Sequence, residues 1–390
     1  MSLLTVDDVE TIAVLGAGNM GHGIAEVAAL AGYSVRLRDV KDEFVQNGYD
    51  QIAWSLEKLA ESGELTETEV EETLSRIEPL VALDTTLADV DVVVEVVPEK
   101  MDLKKEVYAE VEANAPEHAV FTTNTSTLSV TELSEATDRP ERFCGTHFFN
   151  PPVHMPLVEV ISGEHTSDET LTFAEELVES FEKTPIRVRK DVPGFVVNRV
   201  LVPLLNEATW IVEREEGTIA EVDSTASARL GLPMGCFELC DQIGIDVALD
   251  VLDYMHETLG EGYAPSPLLE AKVDAGTFGK KTGQGFYDWD DGGAEIPDDA
   301  GTDSIEERLV GVGINELSKL VAADVAPATE IDTAMQLGAG FPRGVTAMAS
   351  DLGYERIHQR LLELQEETGA VRYEPTSLLA EWAETGGPER

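Results

Sequence analysis

Basic residues are scarce in this sequence: 27 Lys and Arg stand against 76 Asp and Glu, a formal net charge of -49 over 390 residues. A shell that acidic repels nucleic acid and anionic membrane, so no nucleic-acid partner and no membrane partner is expected. No apolar run approaches the roughly 20 residues needed to span a bilayer. The opening MSLLTVDDVE is acidic and too short of apolar residues to read as a secretory signal. Cysteine is also rare. Cys144, Cys236 and Cys240 show no CxxC spacing and cannot form a disulfide framework, which suits buried reduced thiols in a cytoplasm.

Hydrophobic residues are plentiful at 43 %, so the chain is globular, with length for two or three domains. Self-repulsion would strain so acidic a fold at low ionic strength. At about 1 M salt the Debye length falls to about 3 Å and the same surface keeps the protein soluble. A salt-adapted cytoplasm is the expectation; a merely acidic protein is the alternative that composition leaves open.

TIAVLG (11–16) reads as a buried strand ended by glycine, followed by an alanine-rich helix at 19–31 and a strand at 34–39. Further strands are expected at 91–97, 119–123, 142–149 and 185–190, with helices at 100–113 and 168–182. Strands alternating with helices predict an α/β domain over 1–190, a Rossmann-type doubly wound and mostly parallel sheet. Beyond Asp191-Val192-Pro193-Gly194 the chain reads as all helix broken by Gly/Pro turns. That all-α region contains an internal repeat: Asn206-Glu207 recurs as Asn315-Glu316, Asp223 as Asp332 and GLPMG (231–235) as GFPRG (340–344), all offset by 109. Asp241 recurs as Asp351 and Leu268-Leu269 as Leu378-Leu379, offset by 110. Two repeated helical units, 191–290 and 304–390, are expected, joined by the acidic, Gly-rich stretch 288–303.

Gly16-Ala17-Gly18-Asn19-Met20-Gly21 is a GxGxxG between a strand and a helix, the setting in which such a turn cradles a pyrophosphate at a helix N-terminus. Asp39 lies 18 residues past Gly21 at the end of the second strand. An acid there accepts from the ribose hydroxyls and repels a 2′-phosphate, so NAD is favoured over NADP. Arg36 and Arg38 keep NADP open, since an arginine can serve a 2′-phosphate. The competing reading is a plain glycine turn with a surface aspartate.

His147-Phe148-Phe149-Asn150-Pro151 ends one strand, and Leu157-Val158-Glu159-Val160-Ile161 forms the next. Adjacent strands joined by a short turn can set His147 beside Glu159, 12 residues on. A carboxylate there would fix the tautomer and stabilise the imidazolium of a general base. On these residues alone, a core histidine satisfied by a chance acid competes with that reading.

HFFNP…LVEV, together with the glycine fingerprint and PGFVVNR (193–199), resembles the 3-hydroxyacyl-CoA dehydrogenase family. The likeness extends through VPEKMDLKKEV (97–107), NTSTLSV (124–130), LVPLLNEA (201–208), GLPMGCFELCDQIGID (231–246) and FGKKTGQGFYDW (278–289), in the family's order. The resemblance implies oxidation of a (3S)-3-hydroxyacyl-CoA to the 3-oxoacyl-CoA with NAD, in fatty-acid β-oxidation or its reductive reverse. It implies His147 as base with Glu159 as its partner. Ser126 and Asn198 would hydrogen-bond the substrate hydroxyl or thioester carbonyl, with Ser55 a further substrate contact. Glu99, Lys104, Asn150 and Lys281 would join Gly16, Gly18, Asn19, Met20, Gly21 and Asp39 at the cofactor, Ser126 beside them; no metal is implied.

Blander readings stand beside these. Glu99, Lys104 and Lys105 open a predicted helix, where solvated charges are common; Ser126 could be a turn or cap residue; Asn198 could satisfy local backbone; FGKKTGQGFYDW could be a surface turn. The chain departs from the family past Ser55, where Lys58 is the lone lysine of SLEKLAESGEL (55–65), which weakens CoA phosphate binding there. At offset 109, Asn198 becomes Glu307 and nothing matches GKKTGQGFY. The second unit is therefore expected to be non-catalytic, a built-in partner in a monomeric pseudo-dimer, with a homodimer the alternative. A separate enoyl-CoA hydratase or thiolase is open as a transient partner. The competing functions are a dehydrogenase of a free hydroxy acid and a non-catalytic NAD-binding protein.

Overall fold

The computed structural model describes residues 4–388, so the first three residues of the N-terminal stretch and the last two of the chain lie outside it. It divides into two compact units, 1–192 and 193–390. The first unit carries an eight-stranded sheet: β1 (Thr11–Leu15), β2 (Ser34–Arg38), β3 (Ile77–Leu80), β4 (Val92–Glu95), β5 (Val120–Thr123), β6 (Phe143–Phe148), β7 (Leu157–Ile161) and β8 (Thr184–Val188). Their order is β3-β2-β1-β4-β5-β6-β7-β8, the Rossmann-type doubly wound arrangement. Helices cover both faces, so the central strands are apolar at every position; Ile12 to Leu15 are all buried.

Every pairing is parallel except β6 with β7. A parallel return needs a crossover of about a dozen residues or more. The segment 149–156 is too short for one, so the chain folds straight back and β7 runs antiparallel. β3 escaped the sequence reading because IEPL is neither an apolar run nor an alternation. It is an edge strand carrying Pro79, at a place in a sheet where proline is tolerated.

Glu26, on the helix Asn19–Leu30, is 1 % exposed. Burial pushes its carboxyl up to about 7, against the opposing hydrogen bond from Ser55. A carboxyl pKa raised on folding favours the folded state below the unfolded value and loses that contribution as pH rises through the folded one. Glu26→Gln should therefore match the wild type below pH 4.5 and become the more stable of the two as pH rises through about 7, by up to about 3 kcal/mol. Denaturant melts across that range check it; a pH-independent difference would count against the buried carboxyl.

The second unit is all helix, and no helix among the described residues is long and apolar enough to cross a membrane. Two long helices, Val197–Glu213 and Asp303–Ala322, pack on each other at its centre. The same side-chain work is done twice. Asn206 donates to Ala264 O and accepts from Ser266 N at 3.0 Å. Asn315 donates to Glu374 O and accepts from Thr376 N at 3.1 Å. Each asparagine thus fixes the turn that starts its segment's last helix. Asp223 accepts from Phe237 N and Asp332 from Thr346 N, each carboxylate serving a helix N-terminus. Cys144, Cys236 and Cys240 are all buried thiols.

Candidate active site

The sheet reverses its winding between β1 and β4, and ligands of such folds bind outside the strand ends at that point. Gly16 to Gly21 lie there. Gly16 has φ 114°, and a Cβ on it would meet Val96 O at 2.5 Å. A Cβ at Gly21 would run into the Gly16 carbonyl, so only glycine lets helix and turn close together. Over Gly18 the opposite holds: a Cβ would meet no described atom within 4 Å, leaving backbone open to a phosphate. The helix Asn19–Leu30 begins there with no acid in its first turn, so its N–H groups and dipole favour an anion.

Asp39 accepts from Ala17 N at 2.8 Å and Val40 N at 2.6 Å, which ties the glycine turn to the end of β2. Arg36 donates to Thr86 O at 3.2 Å and Arg38 to Val81 O at 3.1 Å. The Arg36 guanidinium is engaged with backbone carbonyls beside β2, and Arg38 gives its Nε–H to one. Residues, turn and acid fit NAD.

His147 and Glu159 face each other in the β6–β7 register, and His147 Nδ1 lies 2.7 Å from Glu159 Oε2. Glu159 is fully buried and His147 nearly so, with the Phe149 ring 4.5 Å from the imidazole, centroid to centroid. With Nδ1–H given to the carboxylate, Nε2 carries the lone pair and can act as a base. Asn124 Oδ1 accepts from Phe148 N at 2.8 Å, which anchors the 124–128 loop beside the histidine.

That loop is organised by Glu99. Its Oε1 accepts from Ser126 N at 2.9 Å, from Thr127 N at 3.2 Å and from the Thr125 hydroxyl. Lys104, far from being a solvated helix-start charge, is 1 % exposed. Its Nζ reaches Glu95 Oε1 at 2.7 Å, Val97 O at 3.1 Å and Glu99 Oε2 at 3.3 Å. Glu95, 0 % exposed, also accepts from Thr123 Oγ1 at 2.8 Å and Val97 N at 2.7 Å. Burial raises the Glu95 carboxyl despite Lys104 beside it. Burial also opposes ionisation of Glu99, but Lys104 and the loop donors outweigh it and hold that carboxyl below its usual range.

Asn19 Nδ2 donates to Asn150 Oδ1 at 3.0 Å, joining the glycine turn to the residue after Phe149. The first unit thus gathers the glycine turn, Asp39, Glu99, Lys104, Ser126, His147, Asn150 and Glu159. Ser55 is half-buried on the helix Asp42–Ser62 and hydrogen-bonds Glu26. Asn198 and Lys281 belong to the second unit: Asn198 sits in the first turn of Val197–Glu213, and Lys281 pairs with Asp246 at 2.6 Å. Sequence reasoning missed Glu95 and Asn124. Glu95 had left a signal, a charged residue inside the apolar DVVVEVV. Among the described residues no group of three or more His, Cys, Asp or Glu side chains is placed to hold a metal ion.

A doubly wound sheet with a glycine cradle, an acid at the end of its second strand and a buried His–Glu pair defines an NAD-dependent oxidoreductase. Residues 11–192 match the "3-hydroxyacyl-CoA dehydrogenase, NAD binding domain" and residues 194–289 and again 305–390 match the "3-hydroxyacyl-CoA dehydrogenase, C-terminal domain". The chain belongs to the 3-hydroxyacyl-CoA dehydrogenase family. It is 40 % identical over 288 residues to a probable 3-hydroxybutyryl-CoA dehydrogenase of Bacillus subtilis, covering 73 % of this chain and 99 % of that one. It is 32 % identical to the 3-hydroxyadipyl-CoA dehydrogenase of Escherichia coli K12, covering 96 % and 98 %. The crystal structure of 3-hydroxybutyryl-CoA dehydrogenase from Escherichia coli K12 superposes with a TM-score of 0.92 at 30 % identity, covering 97 % and 99 %.

Proposed function

We propose that this enzyme interconverts a (3S)-3-hydroxyacyl-CoA and its 3-oxoacyl-CoA. The observation that carries the reading is the 2.7 Å His147–Glu159 pair, set on neighbouring strands of an NAD-binding domain. NAD, when bound, supplies the hydride acceptor. Gly16, Gly18, Asn19, Met20 and Gly21 hold its pyrophosphate and Asp39 its ribose, with Glu99, Asn150 and Lys281 as further contacts. Lys104 acts through Glu99, its own ammonium being committed to three acceptors. His147 Nε2 takes the proton of the 3-hydroxyl, and Glu159 steadies the imidazolium that results. Ser126 and Asn198 hydrogen-bond the hydroxyl or thioester carbonyl, and Ser55 contacts the CoA portion.

Oxidation then uses neutral His147, and reduction uses its protonated form. The second helical segment is non-catalytic: Glu307 stands at the counterpart of Asn198 and pairs with Arg356. The acidic shell suits a salt-rich cytoplasm, with a separate hydratase or thiolase as transient partner.

Consumption of NADH with acetoacetyl-CoA at high salt, compared with free acetoacetate, tests the reading. Turnover of the thioester is expected. Turnover of the free acid alone would transfer the assignment to a hydroxy-acid dehydrogenase, a reading to which the lysine-poor helix around Ser55 lends its support.

A further inference from the structure

Two buried ionic clusters sit between the two helical segments, and they are copies of each other. In one, Arg199 Nε donates to Glu316 Oε2 at 3.0 Å and Tyr263 OH donates to the same oxygen at 2.8 Å. In the other, Arg308 Nε donates to Glu207 Oε1 at 2.7 Å and Tyr373 OH donates to it at 2.8 Å. Arg308 lies 109 residues past Arg199, Glu316 lies 109 past Glu207, and Tyr373 lies 110 past Tyr263. Each arginine therefore reaches across to the other segment's glutamate. This is the reciprocity of an isologous contact, here within one chain. A further cation closes each cluster: Lys319 at 2.5 Å from Glu316, and Arg372 at 3.2 Å from Glu207.

The copies differ in what lies next to them. Arg199 directly follows Asn198. Its backbone N–H donates to Gly194 O at 3.0 Å, closing a turn that holds Gly194 at φ 77° and Phe195 at φ 52°. The Arg199 side chain is thus the anchor of a strained entry to the helix Val197–Glu213, and the anchor's counter-charge comes from the other segment. Arg308 follows Glu307 in the second turn of the regular helix Asp303–Ala322, with no candidate ligand beside it.

We infer that Glu316, contributed by the non-catalytic second segment, is a positioning residue for Asn198, acting through Arg199 and Tyr263, whereas its twofold-related counterpart Glu207 serves stability alone. The inference rests on the reading of Asn198 as a substrate ligand. Burial opposes ionisation of Glu316, but Lys319 and Arg199 outweigh it and keep the carboxyl below its usual range, as an anchor for a guanidinium requires. A small shift of a positioned group can cost up to about 10²-fold in rate.

The test compares Glu316→Gln with Glu207→Gln in the full chain, reading melting temperature, kcat and the KM values for acetoacetyl-CoA and NADH. Both variants should melt earlier. Glu316→Gln should also lower kcat/KM for the thioester by about 10-fold or more with KM for NADH unchanged, and Glu207→Gln should leave all three constants within about twofold. Tyr263→Phe and Tyr373→Phe repeat the comparison with a single hydroxyl, should either glutamine variant fail to fold; only Tyr263→Phe should touch the thioester constants. Equal kinetics within each pair, alongside an active wild type, would overturn the inference and leave the reaction standing. A wild type inactive with acetoacetyl-CoA would overturn both.

Discussion

His147→Ala should lower kcat for acetoacetyl-CoA reduction by about 10²–10⁴-fold, the usual worth of a positioned acid or base, and leave KM for NADH unchanged. In the proposed reaction the imidazole passes the proton, and it lies outside the glycine turn proposed to hold the cofactor. Glu159→Gln should follow it down, because an amide oxygen can accept from Nδ1–H but carries no charge to stabilise the imidazolium; the amide can also turn its NH₂ inward and force the wrong tautomer. Steady-state kinetics on purified variants, with NADH binding followed by fluorescence, separate these outcomes. A His147→Ala enzyme with more than about a tenth of wild-type kcat would remove the imidazole from the chemistry.

Lys104→Met should be strongly destabilising, at about 3–5 kcal/mol near neutral pH. Methionine fills a similar volume, so the cost comes from charge rather than from a cavity. Glu95 would be left with no cation at a position that water does not reach, and Glu99 would lose one of the groups holding it ionised. The pH dependence follows with its sign. A carboxyl already raised by burial rises further once its cation is gone, so Glu95 in the variant regains stability as it is protonated in acid. The lowered Glu99 carboxyl contributes wild-type stability above its unfolded pKa and loses it as pH falls. Both effects make the gap between wild type and variant widest near neutrality and narrower in acid. Urea melts at two pH values measure it, and a loss under about 1 kcal/mol at neutral pH would mean that Glu95 is already protonated there.

Much of this could be read along the chain, for reasons that lie in local chemistry. Central strands such as TIAVL and DVVVEVV are apolar on both faces because helices cover both. A glycine-rich turn between a strand and a helix, followed by an acid at the end of the next strand, fits a dinucleotide cradle. The His147–Glu159 pairing was legible because only eight residues, 149–156, join the two strands and force an antiparallel return, and such a return sets paired residues face to face. The edge strand Ile77–Leu80 was not legible, since an edge needs neither an apolar run nor alternation.

The sequence alone carried the strand–helix alternation of the doubly wound domain, the glycine turn with its acid and the neighbouring strands of His147 and Glu159, which depend on spacing within short segments, and it showed the repetition at 109 residues by recurrence of residue types. The tertiary structure decided the fate of the charges. Lys104 has one pattern in sequence whether it faces water or a buried carboxylate, and the choice is made by strands 9 and more residues away. The repeat places Arg199, Glu207, Arg308 and Glu316 in register, yet any arginine could in principle pair within its own segment. That each crosses to the other follows from how the two long helices pack, and packing brings together residues that no spacing rule connects.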